Sequence, residues 1–165
     1  MNFETNRLII RHPRVEDAED IFRNYAQDVE VTKYLTWVPH KELKDTQRWV
    51  QYCVANANTE KSLMFVLCLK ETAEVVGMID FRLEGFKAHF GYVLARKYWN
   101  QGLMTEAMQP VIQYLYENPN VYRVWAVHDI ENEASGKVML KLGMQFEGII
   151  SGSQIYPNIS TEPRD

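Results

Sequence analysis

The sequence predicts a mixed α/β domain whose central sheet is mostly antiparallel and flanked by helices. Three observations predict it. The β-prone runs Ser62–Leu69, Val75–Leu83 and Phe90–Leu94 are joined by short turns, which reads as an antiparallel meander. The third run leads through a basic, aromatic, glycine-containing turn, Arg96–Gly102, into a helical pattern. Its apolar residues, Leu103, Met104, Ala107, Met108, Val111, Ile112, Leu115 and Tyr116, have the i, i+3/i+4 spacing of a half-buried helix. A β-rich run, Val121–Val127, follows, so strand, helix and strand make a parallel crossover.

The remaining elements follow from local chemistry. Arg7–Arg11 is a short strand ended by His12-Pro13, since the residue before proline is pushed out of the helical region. Val15–Tyr25 is a helix with Asp17, Glu19 and Asp20 early and Ala18, Ile21, Phe22 and Tyr25 on one face. Asp28–His40 is aromatic-rich with partial helical spacing, and Thr46–Ala55 is a second helix carrying Trp49, Val50 and Cys53 on one side. Ser62–Leu69 is almost wholly apolar, which implies cover on both faces. Pro110 inside the helical run predicts a kink near Glu106, and Asn118-Pro119-Asn120 ends that helix. Asn132–Ser135 starts a further helix, closed by Gly143. Gln145–Ile155 reads as a last strand, and Pro157–Asp165 as irregular.

At 165 residues, with 46% hydrophobic and 24% charged residues, the chain reads as one soluble globular domain spanning residues 1–165. A net charge of -4 argues against nucleic-acid binding, which calls for a basic excess. The two cysteines, Cys53 and Cys68, have no metal-type spacing and read as buried thiols, so no metal is expected. The chain opens with no signal peptide and contains no apolar run of about 18 residues, so neither export nor membrane association is expected; the expected location is cytoplasmic.

The Arg96–Gly102 turn carries the chemistry. A helix start leaves several N–H groups without carbonyl partners, and the positive end of the helix dipole lies beside them. Together they suit a phosphate or pyrophosphate. A nucleotide loop of the Gly-Lys-Ser/Thr type is absent.

Two segments stand together: Tyr98-Trp99-Asn100-Gln101-Gly102-Leu103-Met104-Thr105-Glu106-Ala107, and Asn132-Glu133-Ala134-Ser135 continuing to Lys141-Leu142-Gly143-Met144-Gln145-Phe146-Glu147-Gly148. With the Glu4–Arg11 opening and the Trp49 helix, they resemble the GNAT N-acetyltransferase superfamily, in its RimJ/RimL-type branch. The resemblance covers nearly the whole chain. It implies the GNAT fold, acetyl-CoA as co-substrate and an amine acceptor.

By this resemblance the family's Q/R-x-x-G-x-G/A turn falls on Lys97, Asn100 and Gly102, with Asn in place of the first glycine and Lys in place of Gln or Arg. Asn tolerates positive φ, so the turn survives. The pyrophosphate donors implied are the N–H groups of Gln101, Gly102, Leu103, Met104 and Thr105, with Arg96 and Lys97 adding charge. Tyr92, Val93 and Leu94 take the main-chain pairing with the pantetheine arm, and a backbone N–H near Leu94 polarises the thioester carbonyl. Asn132 serves the pantetheine–diphosphate region, or caps its helix, or both. Met139 stands where many GNAT enzymes carry an acidic tyrosine, and the branch gives the proton-donor role to Ser135 instead.

The base is open. The branch's glutamate matches Gln154, which cannot accept the proton; Asp80, His128 and water are the alternatives. The acceptor side is expected from Tyr34, Trp37, His40 and Asp80 with the tail Gln154–Asn158. A protein or peptide α-amine and a small-molecule amine are both open as acceptors, and a non-catalytic acyl-CoA-binding module is the alternative to an enzyme. The family's final strand has no counterpart before Asp165. Either it lies beyond the sequence or another chain fills the slot, which makes a homodimer an expectation to test.

Overall fold

The computed structural model describes residues 1–165. The chain opens with β1 (Asn2–Glu4) and β2 (Leu8–Arg11). A continuous helical stretch follows: a 3-10 turn Val15–Asp17, α1 (Ala18–Ile21) and a π-turn Phe22–Ala26. Next come α2 (Val29–Thr32), α3 (Leu43–Asn56), β3 (Asn58–Thr59), β4 (Ser62–Leu69), β5 (Val75–Glu84) and β6 (Lys87–Leu94). A 3-10 turn, Arg96–Tyr98, leads into α4 (Leu103–Glu117), then β7 (Arg123–Trp125) and α5 (Glu133–Lys141).

The sheet runs β1-β2-β4-β5-β6-β7, with β3 paired to β4. All neighbours are antiparallel except β6 and β7, joined in parallel through α4 as the crossover requires. The core is one cluster in which Phe65, Phe81, Phe90, Ile79 and Leu67 of the sheet meet Met108, Val111 and Leu115 of α4. The near-continuous burial of β4 fits its apolar sequence, since helices cover both sides.

The helical run of α4 continues through Pro110, which removes the N–H that would bond the carbonyl of Glu106. Two expectations differ. β7 is three residues long rather than seven, and it leaves β6 after the pair His89↔Trp125. That early departure splays the sheet. Finally, Gln145–Ile155 is not a strand. Gly148 and Gly152 sit at φ 145° and 61°, outside strand geometry, and only Gln154 forms a bridge, to Arg164. Phe146, Ile149 and Ile150 in this segment stay exposed. No helix is long and apolar enough to cross a membrane.

Candidate functional site

The splay is built by hydrogen-bond alternation. In an antiparallel pair, every second residue turns its main-chain groups to the partner strand. Ala95 N–H donates to Val76 C=O, so by the same register Val93, Gly91 and His89 also face β5. Tyr92 and Leu94 turn the other way, into the gap left by β7. The Leu94 carbonyl is taken by the Trp99 indole N–H at 2.7 Å, which ties the following turn back to the strand. Val93 remains in the lining but gives its own N–H and C=O to β5, so it cannot offer a ligand the main-chain pairing expected of it.

At the end of the splay, Asn100 (φ 60°) and Gly102 (φ 72°) bend the chain into α4. The first intrahelical bond is Glu106 N–H to Gly102 C=O, and no carbonyl of the chain accepts from Gln101, Gly102, Leu103, Met104 or Thr105. A Cβ on Gly102 would meet nothing within 4 Å, so the bend faces open space. A cavity of about 610 Å³ lies there, lined by Asn100 and Gly102–Thr105 on one side and by Tyr92–Leu94, Asn132 and Ser135 on the other. Its residues fit an extended ligand with an anionic diphosphate.

Two expected cations point elsewhere. Lys97 lies over the Tyr98 ring, 5.3 Å from its centroid, and Arg96 pairs with Asp28 at 3.2 Å. Gln101 also stays out of the lining, its amide donating to the Lys97 carbonyl at 2.9 Å. The lysines that do line the cavity are Lys33, which lies 5.0 Å from the Tyr34 ring, Lys137, which pairs with Glu133 at 3.0 Å, and Lys141. The spacing of Lys137 and Lys141, one turn apart on α5, was the available signal for this face.

The two faces of the splay meet at a hydroxyl pair. Ser135 sits in the first turn of α5, whose cap Asn132 accepts the Ser135 N–H at 3.3 Å. Its Oγ lies 2.6 Å from the Tyr92 hydroxyl, whose single proton has two acceptors in reach, that Oγ and the Ser135 carbonyl at 3.1 Å. Burial pushes the Tyr92 phenol up to about 12, against a pull downward from Ser135, so it stays protonated.

Beyond this pair opens a second cavity of about 1030 Å³, which shares Tyr34, Leu35, Tyr92, Val93, Asn132 and Ser135 with the first. Trp37 and Trp49 line it, their rings 6.4 Å apart. His40 stands behind them, 5.2 Å from Trp37 and bonded to Thr46 Oγ1 at 2.8 Å, and does not enter the lining. Asp80, Arg82 and His89 project from the facing strands, where Asp80 pairs with Gly91 and Arg82 with His89. Gly91 leaves room for the carboxylate: a Cβ there would lie 2.9 Å from Asp80 Oδ1 and push it aside. Burial raises the Asp80 pKa, with Arg82 pulling it down; burial and the Arg82 charge lower that of His89. His89 was not read from the sequence. Its signal was a polar residue on the strand face opposite Asp80 and Arg82.

His128 also lines this cavity, its Nδ1 2.8 Å from the Asp129 carbonyl and its ring against Gly136. Burial pushes the Cys53 thiol in the same wall up to about 12, so it is no nucleophile. The tail closes the rim: Gln154 and Tyr156 line it, and Asn158 Nδ2 donates to the carbonyls of Thr32 and Trp37 at 2.7 and 2.8 Å. The structure contains no cluster of His, Cys, Asp and Glu able to hold a metal ion.

Comparison with known proteins agrees with this geometry. Residues 7–145 match the family described as acetyltransferase (GNAT) domain. The chain is 33% identical over 149 residues to the uncharacterized N-acetyltransferase p20 of Bacillus licheniformis, covering 88% of this chain and 83% of that protein. It is 25% identical over 153 residues to the [ribosomal protein uS5]-alanine N-acetyltransferase of Escherichia coli K12, covering 87% and 78%. A crystal structure of a GNAT-family acetyltransferase from Bacillus anthracis superposes with a TM-score of 0.84 at 27% identity, covering 96% of this chain and 92% of that one. A gapped turn at a free helix start, a splayed strand and these matches lead to one assignment: the chain belongs to the GNAT acetyltransferase family.

Proposed function

We propose that this protein transfers the acetyl group of acetyl-CoA to the α-amino group of a protein or peptide chain by direct attack in a ternary complex. The observation that carries this is the meeting of the two cavities at the Tyr92–Ser135 pair, with free helix-start amides on one side and an aromatic and ionisable wall on the other. Acetyl-CoA supplies an activated thioester. The chain's residues supply the rest. The amides at Gly102–Thr105 and the ammonium groups of Lys33, Lys137 and Lys141 bind the anionic end of the coenzyme. Tyr92 offers its main chain to the arm, and the Leu94 N–H is aimed where charge would gather on a carbonyl oxygen.

Ser135 donates a proton toward the departing sulfur and draws on Tyr92 behind it. His89, neutral at pH 7, takes the proton of the attacking amine, while Asp80 orients the amine. A peptide acceptor is favoured by the size of the second cavity and its Trp37–Trp49 wall; the relative from Escherichia coli acts on an alanine of a ribosomal protein.

The test is thiol release from acetyl-CoA across N-terminal peptides, amino acids, polyamines and aminoglycosides. Peptides are expected to be the best acceptors. Ser135→Ala is expected to lower turnover by about 10²-fold while acetyl-CoA affinity stays within about twofold. Tight binding with no turnover on any amine would make the protein an acyl-CoA-binding module instead.

A further inference from the structure

The helix start that faces the smaller cavity is held from behind by residues far away in sequence. Glu106, in the first turns of α4, accepts three bonds from the β1–β2 corner: Thr5 Oγ1 at 2.5 Å, Arg7 N–H at 2.9 Å and Arg7 Nε at 2.7 Å. The same guanidinium reaches past the carboxylate and donates from Nη2 to the Gln101 carbonyl at 3.0 Å. Arg7 thus spans two points of one bend, the carboxylate after it and the carbonyl within it. Neither Arg7 nor Thr5 lines either cavity.

A trans peptide is planar, with its C=O and N–H pointing opposite ways. Holding the Gln101 oxygen toward β2 therefore turns the Gly102 N–H toward the cavity that Gly102 lines. Gly102 and Asn100 both sit at positive φ, a region these two residue types tolerate, so the bend is accessible and the Arg7 contact fixes which way its peptides face. There is also a charge effect. A free Glu106 carboxylate, so near the helix-start amides, would repel a diphosphate; with Arg7 across it the pair is neutral to the site.

We infer that Arg7, braced by Glu106 and Thr5, is a positioning residue that sets the Gly102 amide and screens Glu106, and so governs affinity for the diphosphate of the coenzyme without touching it. This rests on the acetyl-CoA reading above. The guanidinium grips Glu106 through Nε and Nη2 together while Nη2 also reaches the Gln101 carbonyl, a fixed fork that a lysine ammonium replaces only with a point charge.

The experiment measures binding of two probes to the full chain: acetyl-CoA, and S-acetylpantetheine, which keeps the arm and the thioester but lacks the diphosphate. Arg7→Gln is expected to weaken acetyl-CoA by about tenfold, because Glu106 is left uncompensated beside the diphosphate and the Gly102 amide loses its tether, and to leave S-acetylpantetheine within about twofold. Adding Glu106→Gln to Arg7→Gln is expected to recover part of the loss, because the uncompensated charge is gone. Arg7→Lys, the milder change, keeps the charge and is expected to fall between the two should Arg7→Gln fold poorly. Equal weakening of both probes, or acetyl-CoA affinity unchanged in Arg7→Lys and Arg7→Gln, overturns the proposal and leaves Arg7 a plain structural tie. Failure of the unaltered protein to bind acetyl-CoA would instead overturn the functional reading on which it stands.

Discussion

At the scale of single residues, the site is a set of groups whose protonation is fixed by where they sit. His89 lies on β6, across from Arg82 and against Trp125 with ring centroids 4.5 Å apart. Burial and the neighbouring guanidinium both disfavour its charged form, so its pKa lies below the ordinary 6.5. The ring is therefore neutral at pH 7 and able to accept a proton. Activity that uses it is expected to fall only as pH drops below about 6.5, and His89→Gln is expected to lower turnover about 10²-fold with acetyl-CoA affinity unchanged. Stability follows the same sign. A group with a lowered folded pKa contributes stability that is present above the unfolded value and lost as pH falls. His40 is lowered by burial as well, so the melting temperature is expected to decline as pH is taken below about 6.5. A pH–rate profile beside a pH–melting profile, for the unaltered protein and His89→Gln, checks both signs. An acid limb unchanged in His89→Gln would take the base role away from it.

At the scale of elements, the β5–β6 ladder aims the reacting edge. The Val93 carbonyl faces β5 closely enough that a Cβ on Gly77 would lie 2.6 Å from it, with Leu94 Cδ1 at 3.2 Å. Because the Val93–Leu94 peptide is planar, any push on that oxygen tilts the Leu94 N–H out of its direction into the splay. Gly77→Ala is therefore expected to cost about 1–3 kcal/mol of stability as an overpacked strand contact. It is also expected to lower turnover at matched folded fraction, measured by denaturant melts beside acetyl-transfer rates. Full turnover at lowered stability would separate the ladder from the chemistry. This glycine was invisible in the sequence, where Val75–Leu83 reads as a strand whichever small residue stands at 77. What was legible were periodic features: the apolar stripe of α4, the meander, and the polar Asn132–Ser135 start of α5. Short pairings such as β1 and β3 escaped, because two or three residues carry no period and take their geometry from the strand beside them.

At the scale of the whole molecule, distant segments close the acceptor cavity, and local patterns could not show this. The bend at Asn100–Gly102 could be placed from its own residues. Its brace at Thr5 and Arg7 lies about a hundred positions away, and its cations come from α2's neighbour Lys33 and from α5. The tail behaves alike. Gln145–Ile155 alternates enough to look like a strand, yet glycines at 148 and 152 turn it aside, and the chain returns through the Gln154–Arg164 bridge. Arg164 then pairs with the buried Asp129 at 2.6 Å and with Glu131 at 3.0 Å, beside the start of α5. Within that loop Asn158 holds the carbonyls of Thr32 and Trp37, residues 126 and 121 positions earlier. The Trp37 wall is thus tied to the tail by one amide that lies outside the cavity lining. Asn158→Ala leaves two carbonyls without that donor and frees the Trp37 segment, while the helix start of α4 and the Tyr92–Ser135 pair keep every contact they have. The expected outcome is a rise in KM for the peptide acceptor of about five- to tenfold with KM for acetyl-CoA unchanged, read from initial rates with each substrate varied in turn. A rise in both constants would mean that the tail supports the whole molecule rather than its acceptor wall, and no rise in either would detach Trp37 from acceptor binding.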